Sequence, residues 1–265
     1  MRRPALGGRG VVKLGMSSVK SSLISMGVYR PVRRMYDRFV RPSNLAHQRE
    51  CSEAYARFVR PGDLCFDVGA NVGRKSGAML SLGARVVAVE PQPACVRELK
   101  ALYGDDPRFT CVQSAVGREP GQAVMNVSDQ SALSSLRPDW FDHWESRIEV
   151  EVTTLDRLID LHGTPRYCKI DIEGFEYEAL QGLTRPVDYL SFEYNARYFD
   201  QAMACVEYLR RFGDLRFNLS LMEDSRLLCE DWWDFDGFAA EFRKVRDAAS
   251  GWGGEIYAKV LPPAS

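Results

Sequence analysis

Apolar and polar positions along the chain change period several times, and the changes mark its elements. Leu64-Cys65-Phe66 is a short apolar run that leads into Asp67-Val68-Gly69-Ala70-Asn71-Val72-Gly73. Ala78, Met79 and Leu82 then recur at helical spacing before a stopping Gly83. The pattern predicts a strand, a glycine turn and a helix. Gly69 and Gly73 have no Cβ, so the backbone there can turn sharply and admit a ligand to its amides. Further strands are predicted at Val86 to Glu90, Phe109 to Val112, Tyr167 to Ile172, Val187 to Phe192, Leu215 to Met222 and Ile256 to Val260. Helices fall between them, with inward faces on Val96, Leu99 and Leu102, on Phe175, Ala179, Leu180 and Leu183, on Met203, Val206 and Leu209, and on Phe238, Phe242, Val245 and Ala249.

Two stretches break this alternation. Gln122 to Val127 and Arg147 to Val152 read as antiparallel strands, because Ile148, Val150 and Val152 alternate with Glu149 and Glu151. Between them, Ser128 to Trp144 is polar, aromatic and without period, as expected of a lid, a substrate loop or disorder. Thr153 or Thr154 can cap a short helix over Leu155, Leu158 and Ile159. Ahead of the first strand, Cys51, Ala54, Tyr55, Phe58 and Val59 mark a helix face expected to lie against the sheet edge. Alternating strands and helices predict an α/β fold, a mostly parallel doubly wound sheet with an antiparallel insertion at about 120–153 and an antiparallel edge strand. Ligands of such sheets bind beyond the carboxyl ends of the strands, where Asp67, Glu90, Ser114, Asp171 and Glu193 fall.

Composition refines this picture in two places. The 265 residues are 45% hydrophobic with a net charge of -1, enough for one sizeable core at 46–265. Residues 1–45, however, carry ten Lys or Arg against Asp37. This basic leader suits weak contact with an anionic surface, but it lacks interleaved aromatics for stacking bases and a clean amphipathic helix, so solvation is the simpler reading. No nucleic-acid partner is expected. Seven cysteines form no Cys-x-x-Cys pair, and no apolar run approaches the roughly 20 residues that span a bilayer. A reducing, cytoplasmic setting is expected.

The glycine turn discriminates among ligands. Asn71 stands where a dinucleotide fingerprint needs its second glycine, which disfavours a pyrophosphate. Gly69 to Ser76 nearly matches a phosphate-binding loop, with the second glycine one place early, and the near-match is read as chance. Glu90, about twenty residues after the turn, can accept from both hydroxyls of a ribose. An adenosine without phosphates fits best.

The segments Phe66 to Gly73, Val89-Glu90-Pro91, Val152 to Asp156 and above all Lys169-Ile170-Asp171-Ile172-Glu173-Gly174-Phe175-Glu176 resemble the FkbM family of S-adenosylmethionine-dependent methyltransferases over roughly residues 60–200. The resemblance implies a Rossmann-like methyltransferase fold and methylation of hydroxyl oxygens on sugars, polyketides or related metabolites. Carried over by position, it implies that Asp67 and the Gly69-Ala70-Asn71-Gly73 turn meet the methionine part of the cofactor. Glu90 would hold the ribose, Ser114 and Ala115 the adenine, and Asp171 would lie beside the transferable methyl.

A methyl transfer to an alcohol needs its oxygen in line with the S–CH3 bond, about 3 Å away, and a group that accepts its proton. Asp171, Glu173 and Glu193 are the candidate bases. The plainer alternatives are that Asp171 binds cofactor only, that Glu173 caps the next helix, and that Glu193 is structural. A metal bridged by Asp171 and Glu193 lacks an evident third ligand, so none is assigned. His143 in the polar loop is a further base candidate, while His47 and His162 read as structural. Trp140, Phe141 and Trp144 form a candidate sugar platform or fasten the loop. Trp232, Trp233 and Phe235 suit a substrate wall or a dimer contact. The alternatives on this chain are N-methylation on the same fold, or an adenosine-binding or scaffold protein without turnover.

Overall fold

The structure is a computed structural model that describes residues 20–33, 42–128, 130–140, 144–221, 226–248 and 253–261. Its main sheet has seven strands in the order β3-β2-β1-β7-β8-β10-β9. At its centre, β1 (Leu64–Val68) pairs in parallel with β2 (Arg85–Val89) and β7 (Tyr167–Ile170). Outward, β3 (Phe109–Val112) joins β2 and β8 (Tyr189–Asn195) joins β7, again in parallel. The antiparallel strand is β10 (Gly253–Val260), but it lies one place in from the edge. The edge itself is β9 (Leu215–Leu221), which β10 joins to β8.

Central strands read as unbroken apolar runs because both of their faces are covered. On one face Phe66, Val68, Cys168 and Ile170 pack with α4 (Leu155–His162), α5 (Glu176–Gln181), α6 (Phe199–Leu209) and α7 (Phe235–Ala248). On the other, Cys65, Val86, Ala88 and Tyr167 pack with α1 (Pro42–Tyr55), α2 (Arg74–Ser81) and α3 (Pro93–Tyr103). The segment after α1 does not run along the sheet edge as expected. Phe58 stacks on Tyr167 at 5.4 Å and on Tyr257 at 5.5 Å, over the middle of the sheet. Burying a ring of this size contributes roughly 1.5–3 kcal/mol, which a sheet edge could not match.

The insertion forms a second sheet of β4 (Ala115–Val116), β6 (Ser146–Thr153) and β5 (Gly121–Val127), with β5 and β6 antiparallel as expected. The short β4 escaped the sequence reading because two residues carry no period. Thr154 caps α4 by accepting from the Arg157 amide at 3.1 Å. The polar loop is folded over its described part. Asn126 bridges to Ser135, and Ser131–Leu133 forms a single 3-10 turn. Phe141, His143 and the side chain of His47 lie outside the described residues. Trp232 and Trp233 are partly buried against the main sheet. Trp232 meets Phe58 edge-on at 6.2 Å, and Trp233 bridges to Phe217 beside Phe238.

Part of the basic leader also departs from expectation. Residues 20–33 pack onto α3 through Glu98, whose carboxylate is 1% exposed. It accepts from Lys20, from the Tyr29 hydroxyl, and from Arg33 Nη1 at 2.9 Å. A carboxylate buried this deeply is stable only with such partners. Replacing Glu98 with alanine removes the shared acceptor of three donors. The expected result is a loss of about 1–3 kcal/mol in thermal unfolding, with faster proteolytic cleavage within residues 20–33. Unchanged melting and cleavage would show that the segment docks without Glu98.

Candidate active site

The site grows from the turn that follows β1. Gly69 takes a φ of 82°, and a Cβ placed there would come within 1.8 Å of the Asp171 carbonyl oxygen. Only glycine lets the exits of β1 and β7 approach so closely. The Gly69 and Ala70 amides donate to the Val89 carbonyl at 2.9 and 3.1 Å, which ties the turn to the end of β2. Asn71 adopts a left-handed φ of 49°, a conformation asparagine tolerates better than most residues. Its amide donates to Glu90 Oε2 at 2.8 Å, and the Gln92 amide donates to Glu90 Oε1 at 2.9 Å. Glu90 is 2% exposed, and burial pushes its carboxyl up to about 7 despite these two bonds.

A cleft opens beyond these strand ends. Of the residues expected at the cofactor, Gly69, Asn71, Glu90, Ser114, Ala115 and Asp171 line it, together with Glu173. Asp67, Ala70 and Gly73 do not. Successive residues of a strand face opposite sides, and Asp67 points with Cys65 toward α2, where it accepts from Ser76 Oγ at 2.5 Å. Fully buried, it supports the turn from beneath. Gly73 precedes α2, and Ala70 packs into the α2 side of the core. The Ser114 hydroxyl donates to the Glu151 carbonyl at 2.9 Å, which leaves backbone groups for a base.

The acidic motif after β7 is a clamped turn. Glu173 has a φ of 54°, unusual for a side chain of its kind, and such strain concentrates at functional sites. Several contacts hold it. Ser135 Oγ donates to the Glu173 carbonyl at 2.6 Å, and Trp140 Nε1 donates to Glu173 Oε2 at 2.8 Å. Trp140 packs over Gly174, where a Cβ would meet the indole at 2.2 Å, and its ring stacks on Tyr198 at 4.8 Å. Trp140 thus fastens the loop and orients Glu173; it is not a free sugar platform. Glu176 accepts from the Ile172 and Gly174 amides at 3.1 and 3.3 Å and closes the turn.

Charge at this turn is unevenly balanced. One carboxylate oxygen from each of Asp171, Glu173 and Glu193 lies within 4.8 Å of the others, a spacing that could surround a metal ion. Glu173 is therefore the third carboxylate that the sequence left unidentified. Burial opposes ionisation of Asp171, yet Lys169 and Lys75 beside it overcome that and hold it well below the usual carboxylate range. Lys75 Nζ contacts Asp171 Oδ2, and Lys169 Nζ lies 3.6 Å from it. Burial and the charge of Asp171 raise Glu173 to about 8. Burial, Asp171 and Glu173 push Glu193 well above its ordinary value. Glu193 does not line the cleft; it borders a smaller cavity behind Trp140. Sequence reasoning gave no role to Lys75, Lys169, Ser135 or Glu176, although Lys75 stood in the near-match to a phosphate loop.

Charged groups lining the cleft are all carboxylates: Glu90, Asp171 and Glu173. The lining offers no cation to a phosphate, and ionised Asp171 suits a nucleoside that carries positive charge, as a sulfonium does. Replacing Glu90 with alanine is expected to weaken S-adenosylhomocysteine binding by about 1–3 kcal/mol in calorimetric titration; equal affinity would place the ribose elsewhere.

Comparison with known proteins agrees with this chemistry. The chain matches the methyltransferase FkbM domain over residues 67–222, more than half its length. No curated protein sequence matches it. Among solved structures, it is similar to a precorrin-6Y C5,15-methyltransferase from Geobacter metallireducens, with 12% identity, a TM-score of 0.43, and coverage of 79% of this chain and 88% of that one. It is also similar to fibrillarin from Aeropyrum pernix, solved with natively bound S-adenosyl-L-methionine, with 14% identity, a TM-score of 0.42, and coverage of 80% and 75%. Both scores are low, so the family rests on the domain match. The chain belongs to the FkbM methyltransferase family, and S-adenosylmethionine is its methyl donor.

Proposed function

We propose that the chain methylates a hydroxyl oxygen on a sugar, a glycan or a natural-product small molecule, with Glu173 as the general base. The observation that carries this reading is the placement of Glu173, which lines the cleft and is held there by Trp140 and Ser135. A hydroxyl loses its proton only as the new bond forms, so its attack profits from a base whose pKa lies near the working pH. Glu173 is raised to about 8, lines the cleft, and is fixed by Trp140 and Ser135. Asp171 stays ionised beside its lysines and is poorly suited to hold a proton. Glu193 lies outside the cleft, and its carboxyl favours the protonated form.

Bound in the cleft, S-adenosylmethionine supplies a methyl already activated by the sulfonium. The protein's part is to place the acceptor and receive its proton. A second, open groove meets the cleft at Leu136 and Phe175. Tyr177, Tyr198, Gln201 and Arg197 border it, a mixture of ring faces and hydrogen-bonding groups that suits a hydroxylated acceptor. The described residues contain no helix long and apolar enough to cross a membrane.

Two outcomes are expected in a screen of hydroxyl acceptors with radiolabelled methyl donor. Glu173→Gln should lower transfer by about 10²–10⁴-fold while binding S-adenosylhomocysteine nearly as well as the wild type. The base must be deprotonated to act, so the wild-type rate should rise with pH through the Glu173 value of about 8. Transfer to amines alone, or full activity of Glu173→Gln, would sink this assignment.

A further inference from the structure

Lys75 has no part in the reading so far, yet its position is specific. It is the second residue of α2, directly after the glycine turn, and its side chain is 32% exposed. Its ammonium contacts Asp171, which is 16% exposed and lines the cleft. The cofactor assigned above ends in an amino acid that carries both an ammonium and a carboxylate at neutral pH. An ammonium finds the ionised Asp171 in this cleft, whereas no lining residue offers a carboxylate a positive partner.

Two ammonium groups approach Asp171 among the described residues. Lys169 is 1% exposed and is confined within the sheet: it donates to the Ile170 carbonyl at 3.2 Å and lies 3.6 Å from Glu255 Oε1. It cannot swing toward a ligand. Lys75 reaches solvent and sits on the first turn of α2, whose N-terminal dipole also favours an anion.

We propose that the Lys75–Asp171 ion pair is the resting form of a zwitterion site. On binding, Lys75 takes the α-carboxylate of the cofactor and Asp171 takes its α-ammonium, so one ion pair is replaced by two. Lys169 remains beside Asp171 and keeps it ionised through the exchange. The glycine-lysine run at Gly69 to Lys75 then serves a carboxylate where a similar loop would serve a phosphate. Ser76, the next residue of that run, is turned away to Asp67. This inference rests on the cofactor assignment above.

The test compares two ligands in calorimetric titration: S-adenosylhomocysteine, and 5′-methylthioadenosine, which keeps the nucleoside and thioether but lacks the amino acid end. Lys75→Met and Lys75→Gln should each weaken S-adenosylhomocysteine by about tenfold or more and leave 5′-methylthioadenosine within about twofold. Lys75→Arg should recover much of the lost affinity. Unchanged S-adenosylhomocysteine affinity in both neutral variants overturns the proposal, as does equal weakening of the two ligands, which would mark Lys75 as structural. Binding of neither ligand to folded wild-type protein would overturn the cofactor assignment itself, and this proposal with it.

Discussion

The site depends on one close approach. The chain leaves β1 and β7 side by side, and the Gly69 backbone passes so near the Asp171 carbonyl that no side chain fits between them. From that contact the two halves of the cleft follow. The turn after β1 is pinned to the end of β2 by the Val89 carbonyl and by Glu90, which fixes one wall of the cleft. The turn after β7 is pressed toward the same opening and presents Asp171 and Glu173 to it. Substituting Gly69 would separate these halves before it touched any ligand.

Electrostatics then differentiates side chains that the sequence presents as equals. Asp171, Glu173 and Glu193 are close enough that they cannot all ionise freely. The two lysines stand against Asp171, so it carries the charge, while Glu173 and Glu193 are driven upward. The left-handed backbone at Glu173 is retained because Ser135, Trp140 and Glu176 over-determine the turn. Strain of this kind costs about 1–3 kcal/mol and persists only where the surroundings hold it.

Much of this was legible in the sequence, for identifiable reasons. Period and glycine placement located nearly every strand and helix, because central strands buried on both faces are continuous apolar runs. Glu90, Ser114 and Asp171, read as lying at strand ends, all line the cleft. Asp67 does not line the cleft, since alternation with Phe66 and Val68 puts it on the α2 face. Other features depend on partners far along the chain and have no local signature. They include Phe58 over Tyr167 and Tyr257, Trp140 over Gly174, and the docking of Lys20, Tyr29 and Arg33 on Glu98. The antiparallel strand was foreseen, but its position inside the edge is set by β9, which β10 joins to β8.

The most direct test of the central claim is a crystal structure with S-adenosylhomocysteine. The account predicts ribose hydroxyls at Glu90, the adenine beside Ser114 and Ala115, and the sulfur between the Gly69 turn and Asp171. Density for the nucleoside in the groove beyond Leu136, with the cleft left to the acceptor, would contradict it.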